Sequence, residues 1–280
     1  MDSATHEYTT DYATFDPKAY LAEYYSTIPS ENLYMLDFLV RAFRTVPNAR
    51  RVLDFGGGPT LFSELIAAPH AQELHFGEYS AANRAEVKKW LTQSPGAFNW
   101  QHYTRQILVL EGKTPTIATI AEREALVRRR LTRVMPCNAI LIPPIQQVAG
   151  GYDVVVTNLC LEAAARDLEE WHQCVRNLAM LLEPGGRFFL SGVQKASSYS
   201  VGHLVFPVIS LSESDLRMAL LDAGFTPESI QTEWTPADHP VHSYAGMIFA
   251  QATKMPARSH TPGRSAQRLP QRERSNSIPI

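Results

Sequence analysis

Chemistry first shows in the segment Leu53-Asp54-Phe55-Gly56-Gly57-Gly58-Pro59-Thr60. An apolar strand that ends in glycines and leads into a helix lets a ligand approach the backbone at the carboxyl edge of a parallel sheet. About 20 residues further on, such sites carry an acid that accepts ribose hydroxyls, and Glu78 stands there. Tight strand-to-helix turns also need glycine for geometry alone, so the turn must be weighed with its surroundings. Other reactive residue types are placed less tellingly. Cys137, Cys160 and Cys174 are too few and too irregularly spaced for a disulfide framework or a zinc site. Cys160 reads as a packing residue, because no base stands at a fixed spacing from it. His203, His239 and His242 are scattered, Trp90 and Trp100 read as core, and Arg128-Arg129-Arg130 reads as a solvated helix face.

The elements that must position the turn read as an α/β alternation from about Pro17 to Thr253. Residues 31–43 carry a helical apolar stripe of Leu33, Leu36, Leu39, Val40 and Phe43. Residues 51–55 form a buried strand, 60–68 the following helix, 73–77 the second strand and 81–91 the second crossover helix. A long Arg-rich helix is expected over 116–134, a strand over 153–157 and a helix over 168–182. Pro184-Gly-Gly186 stops that helix before a strand over 187–190. The helix over 212–223 has Gly224 placed as its cap, and Met247-Ile-Phe-Ala250 closes the sheet.

The 280 residues are 45% apolar and 19% charged, enough to build a proper core. No apolar run of about 18 residues exists, so no membrane-spanning helix is expected. Residues 1–10 carry Asp2 and Glu7 without an apolar stretch, so no secretory signal is expected either. These features fit a cytoplasmic protein with no membrane partner. The net charge of −2 divides unevenly: residues 254–280 carry +5, so residues 1–253 carry −7. An acidic body is not a nucleic-acid-binding surface. The basic tail, rich in Pro and Ser, is expected to be disordered. The division is then residues 1–14 as a flexible N-terminus, 15–253 as one domain with an N-terminal helical cap, and 254–280 as the tail.

Nicotinamide dinucleotides and S-adenosylmethionine both use a glycine turn followed by an acid. The dinucleotide fingerprint needs a third glycine where helix meets strand, but Pro59-Thr60-Leu61-Phe62 is bulky there. Asp54 before the turn, and Leu182-Glu-Pro-Gly-Gly186 before an apolar strand, belong to the pattern of class I methyltransferases. Over residues 15–254 the chain resembles a narrower group. Phe15-Asp-Pro17, Tyr20-Leu-Ala-Glu-Tyr-Tyr25, Asp54-Phe-Gly-Gly-Gly-Pro-Thr60, Glu78-Tyr-Ser80 with Asn83, Lys89-Trp-Leu91, Ala97-Phe-Asn-Trp100, Asn158-Leu-Cys-Leu-Glu-Ala-Ala164 and Glu183-Pro-Gly-Gly186 occur in order. Together they resemble the small-molecule N-methyltransferases that act on nicotinamide, phenylethanolamine and indolethylamine.

The resemblance implies a Rossmann-like fold, with a seven-stranded, mostly parallel sheet, helices on both faces and a helical lid. It implies S-adenosylmethionine as cofactor, a small amine as acceptor and a monomer. Tyr20 and Tyr25 would hold the methionine end, and Gly56, Gly58, Thr60 and Phe62 would pass close to it. Glu78 would accept the ribose hydroxyls beside Tyr79, with help from Asn83. Asn138 and Ala139 would flank the adenine, and Asn158 and Leu159 would run along the cofactor. Tyr24 would close over the acceptor. Without the resemblance, the three N-terminal tyrosines read as core packing at helical spacing.

The acceptor site departs from the family pattern. The nicotinamide enzyme has an aspartate just after the strand that follows Pro-Gly-Gly; here Ser191-Gly192-Val193 stands there and no local acid replaces it. The expected pocket retains Tyr24, Lys195, Ser197, Ser198, Tyr199, His203, His242 and Tyr244. Of these, Ser197, Tyr199 and Tyr244 are expected to bind substrate with Tyr24, and His203 or His242 is a candidate base. Nicotinamide is therefore not the expected acceptor. Three alternatives stay open: methylation of sulfur, selenium or oxygen, a cofactor-binding module without turnover, and a dehydrogenase.

Overall fold

The computed structural model of the chain describes residues 7–46, 48–146, 150–238 and 245–256. Its first elements are β1 (Glu7–Tyr8), α1 (Pro17–Tyr24) and α2 (Ser30–Arg44). Next come β2 (Ala49–Phe55), α3 (Phe62–Ala67), β3 (Ala71–Gly77), α4 (Ala81–Leu91), α5 (Gln101–Leu110), α6 (Ile117–Arg130) and β4 (Leu131–Met135). The second half runs β5 (Tyr152–Asn158), α7 (Leu161–Ala164), α8 (Leu168–Ala179) and β6 (Leu182–Gln194). It ends β7 (Ser198–Val201), β8 (Leu204–Pro207), α9 (Glu213–Asp222), β9 (Gln231–Pro236) and β10 (Gly246–Thr253).

Seven strands lie in the order β4-β3-β2-β5-β6-β10-β9. β4 through β6 in that order are parallel, and β10 runs antiparallel to both β6 and β9. The strand order reverses between β2 and β5, and in open α/β sheets a crevice forms at that point. Alternation along the strands splits the core into two layers. Val52, Val154, Val156, Phe189 and Phe249 pack with α2 and α3, whereas Leu53, Phe55, Val155, Phe188 and Leu190 pack with Trp171 of α8 and Leu216 of α9. Every one of these side chains is almost fully buried, and each contributes roughly 1.5–3 kcal/mol against exposure.

Helix starts follow their capping residues. Asp16 accepts from the Lys18 and Ala19 amides ahead of Pro17, and Asp167 caps α8. Ser212 and Asp215 form a reciprocal capping box at α9. Gly224, with φ +84°, follows α9 as expected.

The structure differs from the sequence reading in several places. The helix expected over 168–182 ends at Ala179, and Pro184-Gly-Gly186 lies inside β6 rather than ahead of it, because Leu182 already pairs with Tyr152. The single helix expected over 116–134 is α6 followed by β4, because Leu131 and Val134 serve as strand residues beside β3. Residues 101–110, not assigned above, form α5. Met247–Ala250 lies inside the sheet, since β9 takes the edge. A second, three-stranded sheet β1-β8-β7 draws Glu7–Tyr8 into the fold beside β8, within the stretch expected to be flexible. Within the arginine run only Arg129 is exposed: Arg128 sits 3.9 Å over the Trp90 ring, and Arg130 donates to the Ala68 and Ala71 carbonyls. The tail expectation falls, beyond Pro256, outside the described residues.

Candidate active site

The turn between β2 and α3 lies at the reversal of strand order. The Gly56 amide donates to the Gly77 carbonyl at 2.8 Å, which locks the turn to the end of β3. Gly56 has φ +73°, and a Cβ there would lie 2.0 Å from Cys160 Sγ, so only glycine fits. Cys160 is thus the packing residue expected. A Cβ on Gly58 would meet nothing within 4 Å, so this side of the turn is open to a ligand. Thr60 is buried and donates its hydroxyl to the Gly57 carbonyl at 2.7 Å, closing the turn on itself.

Glu78 follows β3 directly. Its buried carboxylate accepts from the Ser80 amide at 2.7 Å, the Gly58 amide at 3.0 Å and Asn83 Nδ2 at 3.1 Å. Burial raises its pKa, and the Ser80, Asn83 and Gly58 donors offset part of that rise. Asn83 therefore orients Glu78. Tyr79 is exposed, and its carbonyl accepts from Arg84. Asn138 uses Oδ1 on the Ile140 amide at 3.1 Å, a local turn that commits its acceptor. Ala139 is buried beside it, its carbonyl held by Asn177 Nδ2. At the end of β5, Asn158 donates to Ser63 Oγ at 3.1 Å and accepts from Ser191 Oγ at 2.8 Å. Leu159 then takes φ +52° as the chain leaves the sheet.

The N-terminal tyrosines roof this edge. Tyr25 is buried and stacks on Phe62, with centroids 6.0 Å apart and planes 12° apart. Tyr20 packs on Tyr25 at 5.5 Å and on Tyr24 at 5.1 Å, and meets Tyr199 edge-on at 6.5 Å. Tyr24 reaches across to donate to the Ser200 carbonyl at 2.7 Å, tying α1 to β7. Their helical spacing thus packs them together and also roofs the sheet edge. Burial pushes the Tyr12 hydroxyl up to about 12 and the Tyr20 hydroxyl higher still.

Tyr199 therefore joins Tyr20 and Tyr24. Ser197 is exposed with its carbonyl holding the Val208 amide, and His203 is exposed at the β7–β8 turn. His242 and Tyr244 lie outside the described residues, so nothing is drawn from them.

One acid escaped the sequence reading. Glu162, in the short helix α7 just past the end of β5, is 1% exposed. Its carboxylate oxygens meet no side-chain donor among the described residues, and only the Glu162 and Val193 amides approach them. Burial pushes it up to about 7, and the nearby Glu162 and Val193 amides only offset part of the rise. A Cβ on Gly192 would stand 3.6 Å from its Oε1. Glu162 thus lies beside the position at which the expected acid is missing. The signal was present, an acid within the apolar run Leu159 to Ala165, but its burial was not legible. Ser63 and Ser191 were also missed, and the register pairing Asn158 with Ser191 explains the second.

Fold and site together define a class I S-adenosylmethionine-dependent methyltransferase. The sheet matches, at the level of fold, a solved glycopeptide N-methyltransferase complexed with sinefungin, with a TM-score of 0.51 and 15% identity over 83% of this chain and 96% of that one. A Methanosarcina mazei S-adenosylmethionine-dependent methyltransferase gives 0.52 at 13% identity, over 78% and 97%. The NNMT/PNMT/TEMT family model matches residues 4–255, and the chain belongs to that family. Phenylethanolamine N-methyltransferase of Macaca mulatta is 31% identical over 87% of this chain and 90% of its own length. Indolethylamine N-methyltransferase of Oryctolagus cuniculus is 32% identical over 86% and 94%. The module without turnover and the dehydrogenase lose their support.

Proposed function

We propose that this enzyme methylates the nitrogen of a small amine, or of a nitrogen heterocycle other than nicotinamide, with Glu162 as the acid that recognises the acceptor. Glu162 is the observation that carries the reading: a buried carboxyl with no side-chain partner among the described residues, beside the strand end that holds Asn158. When bound, S-adenosylmethionine supplies a methyl group already activated on a sulfonium. The protein's own task is to place a neutral nitrogen in line with it and to exclude water, which can contribute on the order of 7–11 kcal/mol. Tyr20, Tyr25 and Phe62 would wall the methionine end, and Glu78, oriented by Asn83, would take the ribose hydroxyls. Tyr24, tied to Ser200, would close the acceptor side with Tyr199.

An alkylamine arrives protonated at neutral pH. The carboxylate form of Glu162 can pair with that ammonium and receive its proton before attack. This assigns proton transfer to Glu162 rather than to the exposed His203. The enzyme is read as a cytoplasmic monomer acting on free small molecules, in keeping with the charge of −7 on residues 1–253 and with no described helix being long and apolar enough to cross a membrane. Transfer of labelled methyl to a panel of amines and nitrogen heterocycles tests the reading. Incorporation into amines with none into nicotinamide is expected, and nicotinamide as the best acceptor would contradict it.

A further inference from the structure

Two further acids lie beneath the cofactor turn. Asp54 ends β2 and Glu64 lies in α3, and both are almost completely buried. The two carboxyls face each other, with Ser63 alongside. Written as two carboxylates, they meet no donor in good geometry among the described residues, the Ser63 hydroxyl beside Asp54 and the Glu64 amide being the nearest. They line, with Val52, His75 and Val156, a cavity of about 10 Å³, at most about the space of one water. Two buried charges against each other in such a space cannot be hydrated, and no Lys or Arg lines it. The remaining polar groups facing the pair are Glu78 beyond β3, His75 on β3, whose Nδ1 bonds the Tyr152 hydroxyl, and Tyr25 above the turn.

We propose that Asp54 and Glu64 share one proton and, as a hydrogen-bonded acid–carboxylate pair, brace the glycine turn, so that cofactor affinity depends on that proton being held. The proton supplies a donor between the two carboxyls, which neither Ser63 nor the Glu64 amide provides, and removes one of the two buried charges. The turn lies close over this carboxyl: a Cβ on Gly57 would stand 2.8 Å from Asp54 Oδ2 and 2.5 Å from the Phe76 ring, so the pair and that ring leave Gly57 no room to move toward them. Loss of the proton sets two carboxylates against each other under Gly57 and displaces the turn. Burial supports the assignment, holding Asp54 up to about 7 and Glu64 well above the usual carboxylate range, with the Asp54 charge adding to the second. Asp54 and Glu64 are thus positioning residues, and the affinity arm rests on the cofactor reading above.

Thermal and denaturant unfolding of the whole chain between about pH 7 and about pH 9 reads the proton, compared with Glu64→Gln, whose amide supplies a permanent donor. Each pH unit over which the pair keeps a proton that the unfolded chain lacks shifts the wild-type folding equilibrium by about tenfold. The variant is expected to lose that slope. S-adenosylhomocysteine affinity is expected to weaken across the same range in the wild type by about tenfold more than in Glu64→Gln. A carboxylic-acid carbonyl band in infrared spectra of the wild type, bleached over this range, gives the same reading without any variant. A wild-type profile with neither slope nor band, or a slope between about pH 7 and about pH 8, below the range in which the thiols of the unfolded chain titrate, that is undiminished in Glu64→Gln, overturns the shared proton. A slope without any change in affinity overturns the brace. Absence of S-adenosylhomocysteine binding at every pH overturns the cofactor reading and leaves the unfolding arm to decide the proton.

Discussion

Replacing Glu162 by glutamine should make the enzyme more stable and less active at the same time. A glutamate carboxyl raised from 4.5 to about 7 costs about 3 kcal/mol more to ionise in the folded protein than in the unfolded chain. Because the folded state binds the proton more tightly, its advantage is complete below the unfolded pKa and is lost as pH rises through the folded one. The wild type should therefore fall behind Glu162→Gln between about pH 4.5 and about pH 7, and stay about 3 kcal/mol behind above that. In a chain of this size that is roughly 6–12 °C in Tm. Near pH 5 the gap should be under about 1 kcal/mol. If the carboxylate takes the amine proton, kcat/KM should fall by about 10²–10⁴ in the variant, while the S-adenosylhomocysteine Kd stays unchanged. Differential scanning at several pH values, with labelled-methyl kinetics on the same preparations, reads both. A variant that is no more stable at pH 8, or that retains full turnover, would refute the reasoning.

Further outcomes follow from other contacts. Gly56→Ala should unfold at markedly lower temperature, because its Cβ meets Cys160 at 2.0 Å. Gly58→Ala, at φ +62° in open space, should cost only about 1 kcal/mol in denaturant titrations, yet weaken S-adenosylhomocysteine binding at least tenfold. Tyr24→Phe removes the 2.7 Å bond to Ser200 and should raise the acceptor KM by about three- to tenfold with cofactor affinity intact. Unchanged turnover with every accepted amine in Tyr24→Ala would sink the lid role. Glu111→Ala leaves Arg123, 5% exposed and paired with Glu111 at 2.5 Å, without its counter-charge. It should lose about 3–5 kcal/mol in urea unfolding.

The glycine turn of the proposed cofactor half was legible because its residues are consecutive. Residues 53–62 carry the end of a strand, a turn and the first residue of a helix, and Glu78 stands one strand later. Local spacing carries that information. The proposed acceptor half draws on elements distant in sequence: Tyr24 meets Ser200, Tyr20 meets Tyr199, and Glu162 lies beside Gly192. Periodicity does not report such juxtapositions, and an acid in α7 looks solvated until β6 covers it. The same limit hid β4, whose Leu131 and Val134 continue the helical register of α6 but are claimed by pairing with β3. Arg128 and Arg130 looked like a solvated charge run, yet their stems and guanidiniums are taken up by Trp90 and by the carbonyls that follow α3. The small sheet of β1, β7 and β8 was invisible for a related reason. Glu7–Tyr8 is two residues long, and its partner lies nearly 200 residues away.

Calorimetric titration with S-adenosylhomocysteine, comparing wild type and Glu78→Ala, tests the cofactor site most directly. Glu78 already accepts three hydrogen bonds at the open edge of the turn, and a lost charge-assisted bond to ribose is worth about 1.5–3 kcal/mol. Binding by the wild type that weakens at least about tenfold in Glu78→Ala is the predicted result. No binding by the wild type, or equal binding by both proteins, would contradict the account.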